Sequence, residues 1–234
     1  MSTSPLTETQ LQAIIHKKYE KNSSTPASTS EDYLVRRSFL NDSIETYGGR
    51  AKEENIKWDE LFVDLADAAT GDKTTSANDA IYAMPDDFVE ISSLVTVDGN
   101  FYTHKTNDDL ILAQTNNSSE KFFWITGNEK VGYTLHLNPT PTAAGLTIAY
   151  SYYKLPTLFT ATTSTTEIKK PYFLVYDVLS VLFEEERPDI STKYAQKAKA
   201  LMDQMIIQNF ITPTNNSQEI KNIDRQNSGF SWGE

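Results

Sequence analysis

Apolar residues recur at steps of three and four before Gly71, at a step of two from Ala80 to Tyr153, and at steps of three and four again after Pro171. The first helical stretch is Thr7–Lys18, with Leu11, Ile14 and Ile15 on one side and Thr7 placed to cap Gln10. Ser30 caps a second, Glu31–Tyr47, in which Tyr33, Leu34, Leu40, Ile44 and Tyr47 lie near one face, and Gly48-Gly49 is expected to stop it. Trp58, Leu61, Phe62 and Leu65 predict a third helix over Trp58–Ala69. The strand period then predicts Ala80–Met84 and Phe88–Val97, with Asp98-Gly99 turning into Asn100–His104 as a hairpin. Asn107–Gln114 reads as a helical turn. Phe122–Ile125, Val131–Leu137 and Leu146–Tyr153 complete a meander.

The most apolar part follows. Leu146, Ile148, Tyr150 and Tyr152 share one strand face, and Pro156 ends that strand because it has no N–H for a ladder. Pro171 then opens the helix Tyr172–Phe183, apolar on nearly every side, which therefore has to be packed all round. Glu184–Glu186 and Arg187-Pro188 close it, and Ile190, Tyr194, Ala198, Leu201 and Met205 mark a second helix lying over the first. The order helices, sheet, helices predicts an α+β fold, a bundle of about five helices carrying an inserted antiparallel β module, with extended termini. The expected divisions are 1–72 for the N-terminal helices, 73–156 for the β module, 157–210 for the helical hairpin and 211–234 for a polar tail. On composition that tail would be disordered alone.

Charge and chemistry change this picture mainly by subtraction. There is no cysteine, which removes disulfides and thiol nucleophiles, and a net charge of −11 argues against a basic grip on nucleic acid. Neither a membrane span nor a signal peptide is read from the chain, so a soluble, cytoplasmically made protein is expected. Asp86-Asp87, Asp108-Asp109 and Glu184–Glu186 are the carboxylate groups available for acid–base work, and each also suits a turn or a helix end. His16, His104 and His136 fall on separate elements without metal-ligand spacing. There is no Gly-x-Ser-x-Gly elbow or phosphate cradle. No catalytic, cofactor or metal residue is assigned. Tyr150, Tyr152, Tyr153 and Trp124 could stack on carbohydrate, though aromatic residues at strand period more often serve core or subunit interface.

Several short signatures, taken together, resemble the head-to-tail connector, or adaptor, proteins of tailed bacteriophages. They are Leu40-Asn-Asp-Ser-Ile44, Trp58-Asp-Glu-Leu61, Tyr82-Ala-Met-Pro-Asp-Asp-Phe88, Ile125-Thr-Gly127, Leu135-His-Leu-Asn-Pro139, Ala149-Tyr-Ser-Tyr-Tyr-Lys-Leu-Pro156, and Pro171 with its two helices. The resemblance implies a non-enzymatic virion protein of the neck, needing no cofactor. It implies a ring, commonly a dodecamer, below the portal protein, extending the DNA channel and docking a tail or nozzle protein. Genomic DNA would pass without sequence-specific contact. The candidate subunit or portal interface is Tyr172, Phe173, Tyr176, Tyr194, Phe210 and Ile211, with Ile220, Ile223, Phe230 and Trp232 of the tail. The candidate tail-side interface is Trp124, Tyr102 and Tyr152 of the β module. Rival readings are a glycan-binding or hydrolytic virion protein and another structural neck or tail subunit.

Overall fold

The computed structural model describes residues 5–21, 25–53, 56–92, 94–106, 110 and 120–211, without the side chains of 51–53, 210 and 211. Apart from Leu110, which is helical, the expected turn at Asn107–Gln114 lies outside the described residues, as does the tail beyond Ile211. Among the described residues there are four α-helices, α1 (Glu8–Tyr19), α2 (Glu31–Glu53), α3 (Tyr172–Leu182) and α4 (Pro188–Ile211). Nine strands form two sheets.

α1 begins as its cap dictates. The Gln10 N–H donates to Thr7 Oγ1 and the Thr7 N–H to Gln10 Oε1, a reciprocal pair that satisfies two otherwise orphaned donors. Ser30 Oγ likewise accepts from the Tyr33 N–H at the start of α2. α2 does not stop at Gly48-Gly49 but runs through both to Glu53. Two glycines cost a helix roughly 1 kcal/mol each relative to alanine, less than the packing of Leu40, Ile44 and Tyr47 returns. Gly48 also has a use in the interior, since a Cβ there would stand 3.0 Å from the ring of Pro156.

The third helix expected over Trp58–Ala69 is absent. Its place is taken by a 3-10 turn at Asp59–Leu61, strand β1 (Phe62–Asp64) and a second 3-10 turn at Leu65–Asp67. Each tight turn brings every third or fourth residue inward, which reproduces a helical spacing without a helix. β1 pairs antiparallel with β9 (Ser151–Lys154), Phe62 opposite Tyr153, and Phe62 is thereby left half exposed.

The remaining strands are β2 (Ile81–Ala83), β3 (Phe88–Ile91), β4 (Val95–Val97), β5 (Asn100–His104), β6 (Phe122–Asn128), β7 (Gly132–Asn138) and β8 (Ile148–Ala149). One sheet has the order β1-β9-β3 and the other β2-β7-β6-β5-β4-β8. The sheets are therefore not a meander. β5 and β6 run parallel, and the alternating stretches Phe88–Val97 and Leu146–Tyr153 each serve both sheets, the first dividing into β3 and β4 and the second into β8 and β9. The Asp98-Gly99 hairpin forms as read, with both residues at positive φ. Gly127 is held at φ 107°, and a Cβ would lie 2.1 Å from the Gly132 carbonyl oxygen, so only glycine fits the β6–β7 ribbon there. The outer edge of β2 is closed by carboxylates, Asp79 Oδ1 accepting from the Ile81 N–H and Asp72 Oδ2 from the Ala83 N–H.

Two apolar cores result. The helical one joins Leu11 and Ile15 of α1, Leu40, Ile44 and Tyr47 of α2, and Leu174, Val175, Val178 and Leu179 of α3 to Ala198, Met202 and Met205 of α4. The other fills the space between the sheets, with Val95, Tyr102, Phe123, Leu135, Leu137, Ile148 and Tyr152. It reaches back to Leu65 and Ala68, ahead of residue 73 where the β module is expected to begin. The chain crosses between cores twice, from Trp58 and Leu61 to Leu65, and from Tyr152 to Phe159.

The two central glycines of α2 separate experimentally. Gly49→Ala, with nothing within 4 Å of the new methyl, is expected to raise stability by about 0.5–1 kcal/mol. Gly48→Ala meets Pro156 and is expected to lower it. Urea unfolding midpoints check both, and equal gains at the two positions would contradict the close approach.

Candidate contact surfaces

The signature residues explain how the helical surface is held. Asn41 exchanges two hydrogen bonds with the backbone of Phe159, Nδ2 donating to its carbonyl and Oδ1 accepting its N–H, while Ser43 Oγ donates to Asp177 of α3 at 2.6 Å. Trp58 stacks on Tyr47 at 4.5 Å and 17°, and its Nε1–H reaches the Tyr47 carbonyl. The Tyr47 hydroxyl donates to Glu60 at 2.6 Å, and Lys169 bridges Glu60 and Asp59. Burial, reinforced by Glu60, raises the Tyr47 pKa far above the ordinary phenol value. Asn209 of α4 closes the corner, its Oδ1 accepting the Asp59 N–H and its Nδ2 donating to the Lys57 carbonyl. A cleft of about 360 Å³ lies beside this corner, floored by Trp58 and Leu61 and rimmed by the Lys57–Glu90 pair.

Sequence reasoning missed the grip of α2 on α1. Arg37 holds the fully buried Glu8 through two hydrogen bonds of 2.7 and 3.0 Å, and Arg36 spans Glu20 and His16 Nδ1. The available signal was a pair of arginines on an otherwise apolar helix face, which needs carboxylates brought to it.

The hairpin carries the first candidate surface. Tyr172 and Tyr176 are one turn apart on α3, with ring centroids 6.1 Å apart. Tyr194 of α4 stacks on Tyr176 and on Phe183, both at 5.9 Å, and Phe183 meets Tyr19 of α1 at 5.0 Å. Lys197 Nζ stands 5.3 Å from the Tyr194 centroid and 5.5 Å from that of Tyr176, while Lys18 Nζ is 5.8 Å from Tyr176. Tyr172, Tyr176 and Tyr194 are thus brought together on a cationic, partly open stripe. Phe173 is not part of it. One position along from Tyr172, it points into the helical core and is buried. Phe210, Ile211, Ile220, Ile223, Phe230 and Trp232 lie outside the described side chains.

The second surface is the outer face of the six-stranded sheet. Ile81, His136 and Trp124 lie side by side across β2, β7 and β6, and Trp124 stacks on His136 at 4.8 Å and 12°. His136 Nε2 hydrogen-bonds Thr126 Oγ1 at 2.7 Å, and burial lowers the imidazole pKa. Ile81 and Phe101, at the two ends of this face, are 52% and 65% exposed, while Phe122 between them is buried. Tyr102 and Tyr152, expected beside Trp124, are instead core residues. Strand alternation turns Phe101 out and Tyr102 in, and Tyr152 is enclosed with its hydroxyl donating to Asp87. Tyr150 is buried as well, leaving Trp124 and Tyr153 of the aromatic residues considered for carbohydrate stacking.

The candidate chemical groups stay apart. His104 stacks on Phe123, His16 faces Arg36, and Glu184–Glu186 are exposed. Among the described residues no group of three or more histidine and carboxylate side chains could hold a metal, and no helix is long and apolar enough to cross a membrane. The fold is mixed α+β and carries one aromatic surface on its helices and another on a sheet. The family model of the SU10 adaptor protein matches residues 27–219, and the chain belongs to that family. Membership makes it a component of the virion neck that contacts other head and tail proteins. No curated protein matches the chain.

Burial holds the Tyr47, Tyr150 and Tyr152 phenols above their unfolded value near 10. The folded chain therefore keeps protons that the unfolded chain releases above about pH 10, so this stability is whole below that pH and falls as pH rises. In an alkaline titration these phenols are expected to ionise together with loss of the circular dichroism signal. Complete tyrosine ionisation ahead of unfolding would contradict it.

Proposed function

We propose that the protein assembles as a ring, of dodecameric order, directly below the portal protein, extends the DNA channel and presents its β module to a tail or nozzle protein. The observation that carries this reading is the match to the adaptor family over residues 27–219, together with two apolar surfaces on different parts of the fold. A ring subunit needs surface for its neighbours and for the proteins above and below it. In this reading the hairpin surface with Tyr172, Tyr176 and Tyr194 and the segment Ile211–Glu234 serve neighbours and portal. Trp124, with Ile81 and Phe101, serves the tail side. The divisions 1–72, 73–156, 157–210 and 211–234 then describe helical body, tail-facing module, hairpin and portal-facing extension. A net charge of −11 suits a lumen through which DNA slides, since phosphate contacts are made by cationic side chains.

Electron microscopy of the purified protein, alone and with portal from the same phage, tests the reading. A ring seated on the portal is the expected result, with the β module pointing away from it. Deletion of Ile211–Glu234 is expected to abolish attachment, and undiminished attachment would remove the portal assignment of that segment. A monomer indifferent to portal would overturn the ring.

A further inference from the structure

Two faces of the helical body differ in charge. α2 and α4 both pack on α3. The buried side of α2 carries Tyr33, Leu40, Ile44 and Tyr47, so the residues a half-turn away, Glu31, Val35, Asp42 and Glu45, with Leu34 beside them, face outward. Arg36 and Arg37, in the same part of the helix, do not neutralise that outer face, because they are turned inward onto Glu20 and Glu8. Leu34 and Val35 are 48% and 43% exposed on it. Lys18 and Lys197 stand against the rings of the tyrosine stripe, Lys193 is one helical turn before Lys197, and all three lysines are exposed. Among the described residues neither these three lysines nor Glu31, Asp42 and Glu45 form an ion pair.

We infer that the acidic outer face of α2 in one copy packs against the Tyr176–Tyr194 stripe and its lysines in the next copy. The contact joins two different faces, so it is head-to-tail, the type that repeats into a closed ring when the rotation closes. Asp42 and Glu45 meet Lys193 and Lys197, with Leu34 and Val35 further along the same contact. The inference rests on the ring reading and specifies the surfaces that build it.

Charge reversal on the full chain tests it, read by native mass spectrometry and by electron microscopy with portal from the same phage. Lys193→Glu with Lys197→Glu, and separately Asp42→Lys with Glu45→Lys, are each expected to raise the concentration needed for ring formation about tenfold or more, with unchanged circular dichroism. Mixing the two reversed proteins is expected to restore rings in which the variants alternate. Rings from either variant alone at the parent concentration, or no restoration on mixing, would overturn the inference while leaving the ring intact as a reading. Loss of portal attachment with rings preserved would assign the lysine stripe to the portal and also overturn it. Absence of rings from the parent protein, alone and with portal, would end both.

Discussion

A helix with almost no polar face cannot be left in water, and α3 imposes that condition on the rest of the molecule. Leu174, Val175, Val178 and Leu179 are completely removed from solvent, which requires cover from α1, α2 and α4 at once. Each covering helix is then fixed by a polar device as well as by burial. Arg37 ties α2 to the buried Glu8 of α1, Ser43 reaches Asp177 on α3, and Ser191 of α4 donates to the Ser180 carbonyl. The tyrosine stripe exists because this cover is incomplete along one side of α3, where Tyr176 and Tyr194 fill the groove with their rings and leave their edges open.

The β module and that body share a corner. Trp58 and Leu61 are anchored among helices while Leu65, only four residues on, is already in the other core. The return segment passes Gly48 so closely that the Pro156 ring occupies the volume of a side chain. The Tyr47, Glu60 and Lys169 contacts hold the same corner, and their burial keeps its geometry narrow. Orientation of the sheet face relative to the helical face is thus set by a few residues within Trp58-Asp-Glu-Leu61 and the run ending at Pro156.

Local rules were legible wherever the deciding partner was near in sequence. Thr7 and Gln10 cap one another, Asp98-Gly99 turns a hairpin, and Pro171 opens α3. Long-range pairing decided the rest. Trp58–Ala69 carries a helical spacing, yet β9 draws Phe62–Asp64 into a sheet, and no feature of that segment alone announces a partner some ninety residues away, a separation that local pattern cannot encode. Alternation placed Ile148, Tyr150 and Tyr152 correctly on a buried face, but not on which sheet, because a strand that changes sheets keeps its period. The site shows the same division. Tyr172, Tyr176 and Tyr194 converge because helical spacing and a hairpin bring them together, whereas Phe173, Tyr102 and Tyr152 were turned inward by a single step along helix or strand.

The two backbone stretches that pass from one sheet to the other have a mechanical meaning. Phe88–Val97 and Ile148–Lys154 enter both layers as uninterrupted covalent chain, and Lys154 continues directly toward the helical corner at Pro156. A pull on the outer layer is therefore carried along peptide bonds and across ladders loaded lengthwise. The apolar interface between the layers need not bear it. Two sheets linked only by side-chain packing could slide; these are stitched by continuous chain that leads on toward the helical body.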